Sequence, residues 1–302
     1  MSFRPRKALI SPLFFILMIS MLAACVVQPA PATPTSTATI AATATITPTF
    51  TAVLPTATAT TPACQETSGS ISVERVPGKV SKQPTEVRIY LPPCYDPSGS
   101  VRYPVLYMLH GQTYDDTQWQ NLGLTTAADL LIAARQIAPL IIVMPNEADS
   151  MSDADTSTFG EALTEEIIPW VDEDFATCAE RTCRAIGGLS RGGNWAVRIG
   201  LSHPDLFAVI GAHSAPLFYG DLNRIPGWIS AIPAGETPPM IYIDFGKSDE
   251  EKDDMLQFDQ QLNRLGAPHQ MLQFDGFHDA DYWSGHVTDY LLWYSSVIDG
   301  AH

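Results

Sequence analysis

An α/β fold, with a mostly parallel central sheet and helices on both faces, is predicted by three features of this sequence. Short runs are apolar at nearly every position rather than at alternate ones, notably residues 104–109, 140–144 and 239–245. Such runs belong to strands covered on both faces, which is the setting of a parallel sheet. Between and after them lie stretches with helical spacing, at residues 162–171, 255–265 and 287–298. The third feature is Gly187-Gly188-Leu189-Ser190-Arg191-Gly192-Gly193, which joins the short apolar run Arg184-Ala185-Ile186 to the helix-like stretch from Asn194. A serine held between small residues at a strand-to-helix turn is pushed outward, where a base and a substrate can reach it.

A serine hydroxyl is a weak nucleophile and needs a base that is itself oriented by an acid. On turns of this kind the partners follow in the order serine, acid, histidine. His203 and His213 fall too near the serine, on its own helix and the next strand, and His302 is terminal. His269 opens an apolar-polar run read as a strand. His278 follows that run in the loop Asp275-Gly276-Phe277-His278-Asp279 and is assigned the base role, with His286, at the start of the last helical stretch, as the alternate. The acid should follow the preceding strand, residues 239–245. Asp249 takes that role, with Asp244 and Glu250 as alternates; Glu250 also suits the start of a helix, where acids favour the dipole.

Two backbone N–H groups should meet the oxyanion that develops on the substrate. One is that of Arg191, directly after the nucleophile. The other is expected at Gln112, because His110-Gly111-Gln112 ends the buried strand 104–109 and Gly111 permits a sharp turn. His110 precedes the nucleophile and is read as a structural hydrogen-bonding residue. Trp119, in the loop beyond Gln112, and Trp228, in the long connection 214–239, are candidates to wall a substrate cleft, together with Trp283.

With these pieces placed, a family resemblance emerges. Val87-Arg88-Ile89-Tyr90-Leu91-Pro92-Pro93-Cys94-Tyr95-Asp96 and Tyr103-Pro104-Val105-Leu106-Tyr107-Met108-Leu109-His110-Gly111 resemble the esterase family of α/β-hydrolases. That family includes esterase D-like S-formylglutathione hydrolases, feruloyl and acetyl-xylan esterases, enterochelin esterases and mycolyltransferases. Matches continue, in order, through Glu166-Ile167-Ile168-Pro169-Trp170-Val171-Asp172, the serine turn, Gly246-Lys247-Ser248-Asp249, and Gly276-Phe277-His278-Asp279 with Trp283. The resemblance implies an α/β-hydrolase fold and ester hydrolysis through an acyl-enzyme, with Asp249 and His278 as acid and base. It departs at Arg191, where many members carry methionine, and at the oxyanion loop, which lacks a glycine-rich run. Transfer of the acyl group to a sugar or alcohol is the alternative reaction, and a silent binding module on the same fold is the alternative class.

The rest of the chain speaks to location. Arg4, Arg6 and Lys7 precede an apolar stretch ending in Leu22-Ala23-Ala24-Cys25, the layout of a signal peptide with a lipobox-like end. Residues 1–25 are therefore expected to be a lipoprotein signal with Cys25 lipidated, attaching the protein to a membrane surface. Residues 26–63 are almost wholly Thr, Ala and Pro and read as a disordered tether. Residues 64–302 are enough for one α/β domain. The chain carries 17 basic against 33 acidic residues, a net charge of −16, which excludes attraction to nucleic acid. Cys64, Cys94, Cys178 and Cys183 form an even set, as expected of disulfides in an exported domain, pairing Cys178 with Cys183 and Cys64 with Cys94. Nothing in the spacing calls for a metal or a cofactor.

Overall fold

The computed structural model describes residues 64–298. The signal-like segment, Cys25, the tether and His302 lie outside them. One eight-stranded sheet runs in the order β1 (Ser70–Val76), β2 (Thr85–Leu91), β4 (Ile141–Pro145), β3 (Val105–Leu109), β5 (Arg184–Leu189), β6 (Val209–His213), β7 (Met240–Gly246) and β8 (His269–Phe274). The six strands from β4 to β8 in that order pair in parallel. β1 and β2 complete the sheet as an antiparallel edge. Every residue of β3, β4, β5 and β6 is buried, as the continuous apolar runs require.

The two faces of β3 point into two cores. Val105, Tyr107 and Leu109 pack with α5 (Arg191–Ser202) and α7 (Lys252–Leu265) on one side. Leu106 and Met108 pack with α2 (Leu124–Ala133) and α8 (Ala280–Ile298) on the other. α5 approaches the sheet so closely that only glycine fits at Gly192: a Cβ there would meet the Leu109 carbonyl oxygen at 2.2 Å.

Three helical expectations change. The stretch expected as one helix is α3 (Phe159–Ala162), a π-turn over Leu163–Ile167 and α4 (Ile168–Asp174). Pro169 stands at the start of α4 and has no N–H to give the carbonyl of Glu165, so the preceding turn widens. α8 begins at Ala280, well before residue 287, which puts His286 inside a helix rather than at its start. The long connection 214–239, where no helical stretch is expected, contains α6 (Asp221–Ala231), despite Pro226 and Gly227 in its interior. Low propensity is overridden there by burial of Ile225 and by a bidentate bond from Arg198 to the buried Asp221 at 2.8 Å.

Both expected disulfides form, Cys64–Cys94 and Cys178–Cys183. The first fastens the start of the described chain to the end of β2, and the second closes the turn that leads into β5. Proteolysis of unreduced protein should yield each pair as one linked peptide. Removing the Cys64–Cys94 link, which spans 30 residues, should cost about 2–4 kcal/mol of stability. Full alkylation of these thiols without reductant would refute both assignments.

Candidate active site

Ser190 sits between β5 and α5 with φ 51° and ψ −123°, a backbone region that L-residues rarely occupy. The turn is held on both sides. Ser190 N–H donates to the His213 carbonyl at 2.8 Å, and its own carbonyl accepts from Asn194 N–H at 3.0 Å. A Cβ on Gly188 would lie 2.4 Å from the Gly192 carbonyl carbon, so the doubled glycines are a steric requirement of the turn. Among the described residues, the Ser190 hydroxyl makes no hydrogen bond. It is left for an incoming group.

β5, β6, β7 and β8 end in register, with Leu189 opposite His213, His213 opposite Asp244, and Asp244 opposite Leu272. The loops after β7 and β8 therefore emerge along the same sheet edge as Ser190. They lock together backbone to backbone: Ser248 N–H donates to the Gly276 carbonyl at 2.9 Å, and a Cβ on Gly246 would lie 2.3 Å from that same oxygen. These loops bring Asp249 and His278 together. His278 Nδ1 lies 3.1 Å from each carboxylate oxygen of Asp249, which leaves Nε2 free. Trp283 stands edge-on to the His278 ring at 5.1 Å between centroids and fixes its plane.

The pair is electrostatically coupled. Burial works against charge on Asp249, but the His278 bond, Glu251 N–H at 2.9 Å and the nearby Ser214 hydroxyl outweigh it and hold the carboxyl below its usual range. Burial likewise opposes charge on His278, and the bond to Asp249, with Glu251 and Glu250 close by, raises it above the ordinary histidine value of 6.5. A histidine base works only when neutral, so with His278 in its expected role kcat/KM should rise with pH through a midpoint above about 6.5. Asp249→Asn should move that midpoint down. A parental midpoint below about 6 would remove His278 from the role. For folding, the His278 contribution is complete below the unfolded histidine value and lost as pH rises through the raised one. The Asp249 contribution is present above the unfolded carboxylate value and lost as pH falls through the lowered one.

The loop after β3 is pinned from beneath. Gly111 N–H donates to Gln118 Oε1 at 2.7 Å, and Trp119 Nε1 to the Leu109 carbonyl at 2.9 Å. His110 Nε2 accepts from Glu147 N–H at 2.8 Å, which leaves Nδ1–H to donate to the Gly111 carbonyl at 2.8 Å. His110 is structural, as its position implied. Gln112 N–H has no acceptor among the described residues, and Arg191 N–H, first in α5, has no intrahelical partner.

Other candidates fall elsewhere. Trp119 and Trp283 are 1% and 5% exposed, and neither presents an open wall: Trp119 is bonded to the Leu109 carbonyl beneath the Gln112 loop, and Trp283 stays in the site as the ring packed against His278. Trp228 is half-buried on α6 against the core. His286 pairs with Asp289 along α8. Asp244 is fully buried and bonded to His213, so it does not reach His278. Cys64, Glu66 and Cys94 come within metal-ligating reach of one another, but the two sulfurs are joined and offer no thiolate.

Sequence reasoning missed the Arg191 side chain. It is buried, forms a bidentate pair with Glu147 at 2.8 and 2.6 Å, donates to the Ser152 carbonyl at 2.9 Å, and packs over Phe218. The one sequence signal was a charged residue at an otherwise buried helix start.

A family model described as “Putative esterase” matches residues 78–294. The chain belongs to that family. It is 33% identical over 141 residues to an endo-1,4-beta-xylanase/feruloyl esterase of Xylanibacter ruminicola, covering 44% of this chain but 19% of that protein. It is 26% identical over 230 residues to an acetyl esterase of Caldicellulosiruptor saccharolyticus, covering 64% of this chain and 84% of that one. A solved ferulic acid esterase superposes with a TM-score of 0.67 at 23% identity, over 77% of this chain and 99% of its own. These matches establish the α/β-hydrolase fold; the match to the xylanase/feruloyl esterase spans about a fifth of that protein's length.

Proposed function

We propose that this protein is a serine-dependent carboxylic ester hydrolase working through an acyl-enzyme. The observation that carries the reading is the Asp249–His278 pair, presented with a free Nε2 at the same sheet edge as the half-buried Ser190, whose hydroxyl makes no hydrogen bond among the described residues. Ser190 Oγ attacks the ester carbonyl carbon while His278 Nε2 takes the hydroxyl proton. Asp249 holds the imidazole in the tautomer that can accept it and stabilises the imidazolium that forms. The carbonyl oxygen becomes an oxyanion between the N–H groups of Gln112 and Arg191. Collapse breaks the bond to the alcohol, which leaves with the proton from His278. Water then repeats the sequence on the acyl-serine and releases the acid.

The relatives' names, feruloyl and acetyl esterase, support an ester of a feruloyl or acetyl group as substrate. Tyr114, Met151, Tyr219 and Phe277 are exposed on four of the loops that follow strands at this edge and offer apolar contact to an aromatic acyl group. The test is to treat the intact protein with a fluorophosphonate and then assay acetylated, feruloylated and thioester substrates, with and without an acceptor alcohol. Labelling at Ser190 and release of free acid are expected. No labelling of folded protein would end the reading, and transfer to the alcohol in preference to water would replace hydrolase by acyltransferase.

The disulfides suit an oxidising compartment. We place the domain of residues 64–302 outside the cytoplasm, on the 26–63 tether, held to the membrane through lipidated Cys25. No described helix is long and apolar enough to cross a membrane. Cys25→Ser should abolish incorporation of labelled palmitate; incorporation that persists would refute the anchor.

A further inference from the structure

Beneath the Ser190 turn lies a buried polar network that the acyl-transfer steps do not use. Asp244 and His213 are fully buried. Asp244 Oδ1 accepts from His213 Nδ1–H at 2.6 Å, and Oδ2 accepts from the hydroxyls of Tyr282 at 2.7 Å and Tyr290 at 2.8 Å. His213 Nε2 meets the Tyr294 hydroxyl at 2.9 Å. A carboxylate at this depth is tolerated only because donors surround it. The sheet makes room for the arrangement, since a Cβ on Gly187 or Gly211 would fall 1.8 or 1.6 Å from the Tyr294 hydroxyl.

Each arm of the network ends at a different part of the site. The His213 carbonyl accepts Ser190 N–H, the bond that holds the nucleophile's turn. The Asp244 carbonyl accepts the N–H of Ser214 at 2.8 Å, which ties the end of β6 to β7, the strand that leads to Asp249. Tyr282 belongs to the first turns of α8, directly after His278. Its N–H donates to Asp279 Oδ1 at 3.0 Å, and its ring fills the space a Cβ on Gly276 would take, 2.5 Å away. On the remaining side, the His213 ring stands edge-on to Trp119, which anchors the strand before the Gln112 loop. Asp244 therefore joins the nucleophile's turn, the strand that leads to the acid, and the base's loop.

We propose that Asp244 is a positioning residue that sets the placement of Ser190 relative to His278, acting through His213 and Tyr282. The inference rests on the serine-esterase reading. It predicts a fault in chemistry rather than in binding. In Asp244→Asn the amide offers one acceptor oxygen in place of two, so either both tyrosine hydroxyls must turn from donors into acceptors, or His213 must change tautomer and its bond to Tyr294 must reverse. Misplacement of reacting groups by about 1 Å can cost up to about 10²-fold in rate.

The experiment compares parent, Asp244→Asn, Tyr282→Phe and Tyr90→Phe, each normalised by active-site titration. Tyr90→Phe is the control: it removes a hydroxyl bond of 2.7 Å to Asp129, on a strand away from the site, and should leave kcat unchanged. Asp244→Asn is expected to lower kcat and the fluorophosphonate labelling rate by about 10–10²-fold at constant KM, and Tyr282→Phe by a smaller factor in the same sense. Parental kcat and labelling rate in both variants, or a loss no larger than in the control, would overturn the proposal. If Asp244→Asn does not fold, Tyr282→Phe decides by the same criterion. A parent that is itself unlabelled points instead to failure of the serine-esterase reading.

Discussion

Ser190→Ala should lose turnover by on the order of 10⁴-fold or more while folding normally. The hydroxyl makes no hydrogen bond among the described residues, so its removal strands no buried partner, and alanine asks no more space at the turn. On the proposed mechanism His278→Ala should be nearly as damaging, because the proton of the serine then has no acceptor. Asp249→Asn should cost less than either, since Asn can still bond the ring but no longer stabilises its charge. The Ser190→Ala and His278→Ala losses should not add when combined, because residues that act as a unit fail together. Steady-state kinetics on purified, folded variants checks each point. Near-parental activity in His278→Ala would transfer the base role elsewhere, and loss in His286→Ala would be unexpected for a residue engaged along α8 with Asp289.

The second large effect is on stability. Arg191 and Glu147 have side chains only 9% and 4% exposed. Glu147→Gln would leave the guanidinium buried without its counter-charge, at a cost of about 3–5 kcal/mol. At roughly 2–4 °C per kcal/mol for a domain of this size, the melting temperature should fall by roughly 10 °C. The double variant Arg191→Met, Glu147→Leu should recover most of that loss, since apolar residues of similar volume replace a buried pair without a desolvation penalty. Glu147 N–H also holds His110 beneath the Gln112 loop, so a displaced Glu147 segment should lower kcat in the single variant. Denaturant unfolding checks the cycle. A single variant within about 1 kcal/mol of the parent would show that the pair does not lock the turn after the nucleophile.

What the sequence determined by itself is what short-range geometry enforces. Glycines flanking Ser190 mark a turn that larger residues would block, and continuous apolar runs mark strands covered on both sides. Local propensity, by contrast, misread α6 and the widened turn before Pro169, where burial and a missing N–H decide.

Sequence order favoured Asp249 over Asp244, but only the tertiary structure shows which imidazole each of them meets. Both are buried acids near the end of one strand, and the difference lies in which imidazole each meets, His278 at 29 residues' separation or His213 at 31. The same holds for Arg191 and Glu147, 44 residues apart. Hydrogen bonds and ion pairs act over about 3 Å in space. Sequence spacing carries no record of which distant segments the sheet will bring within that reach.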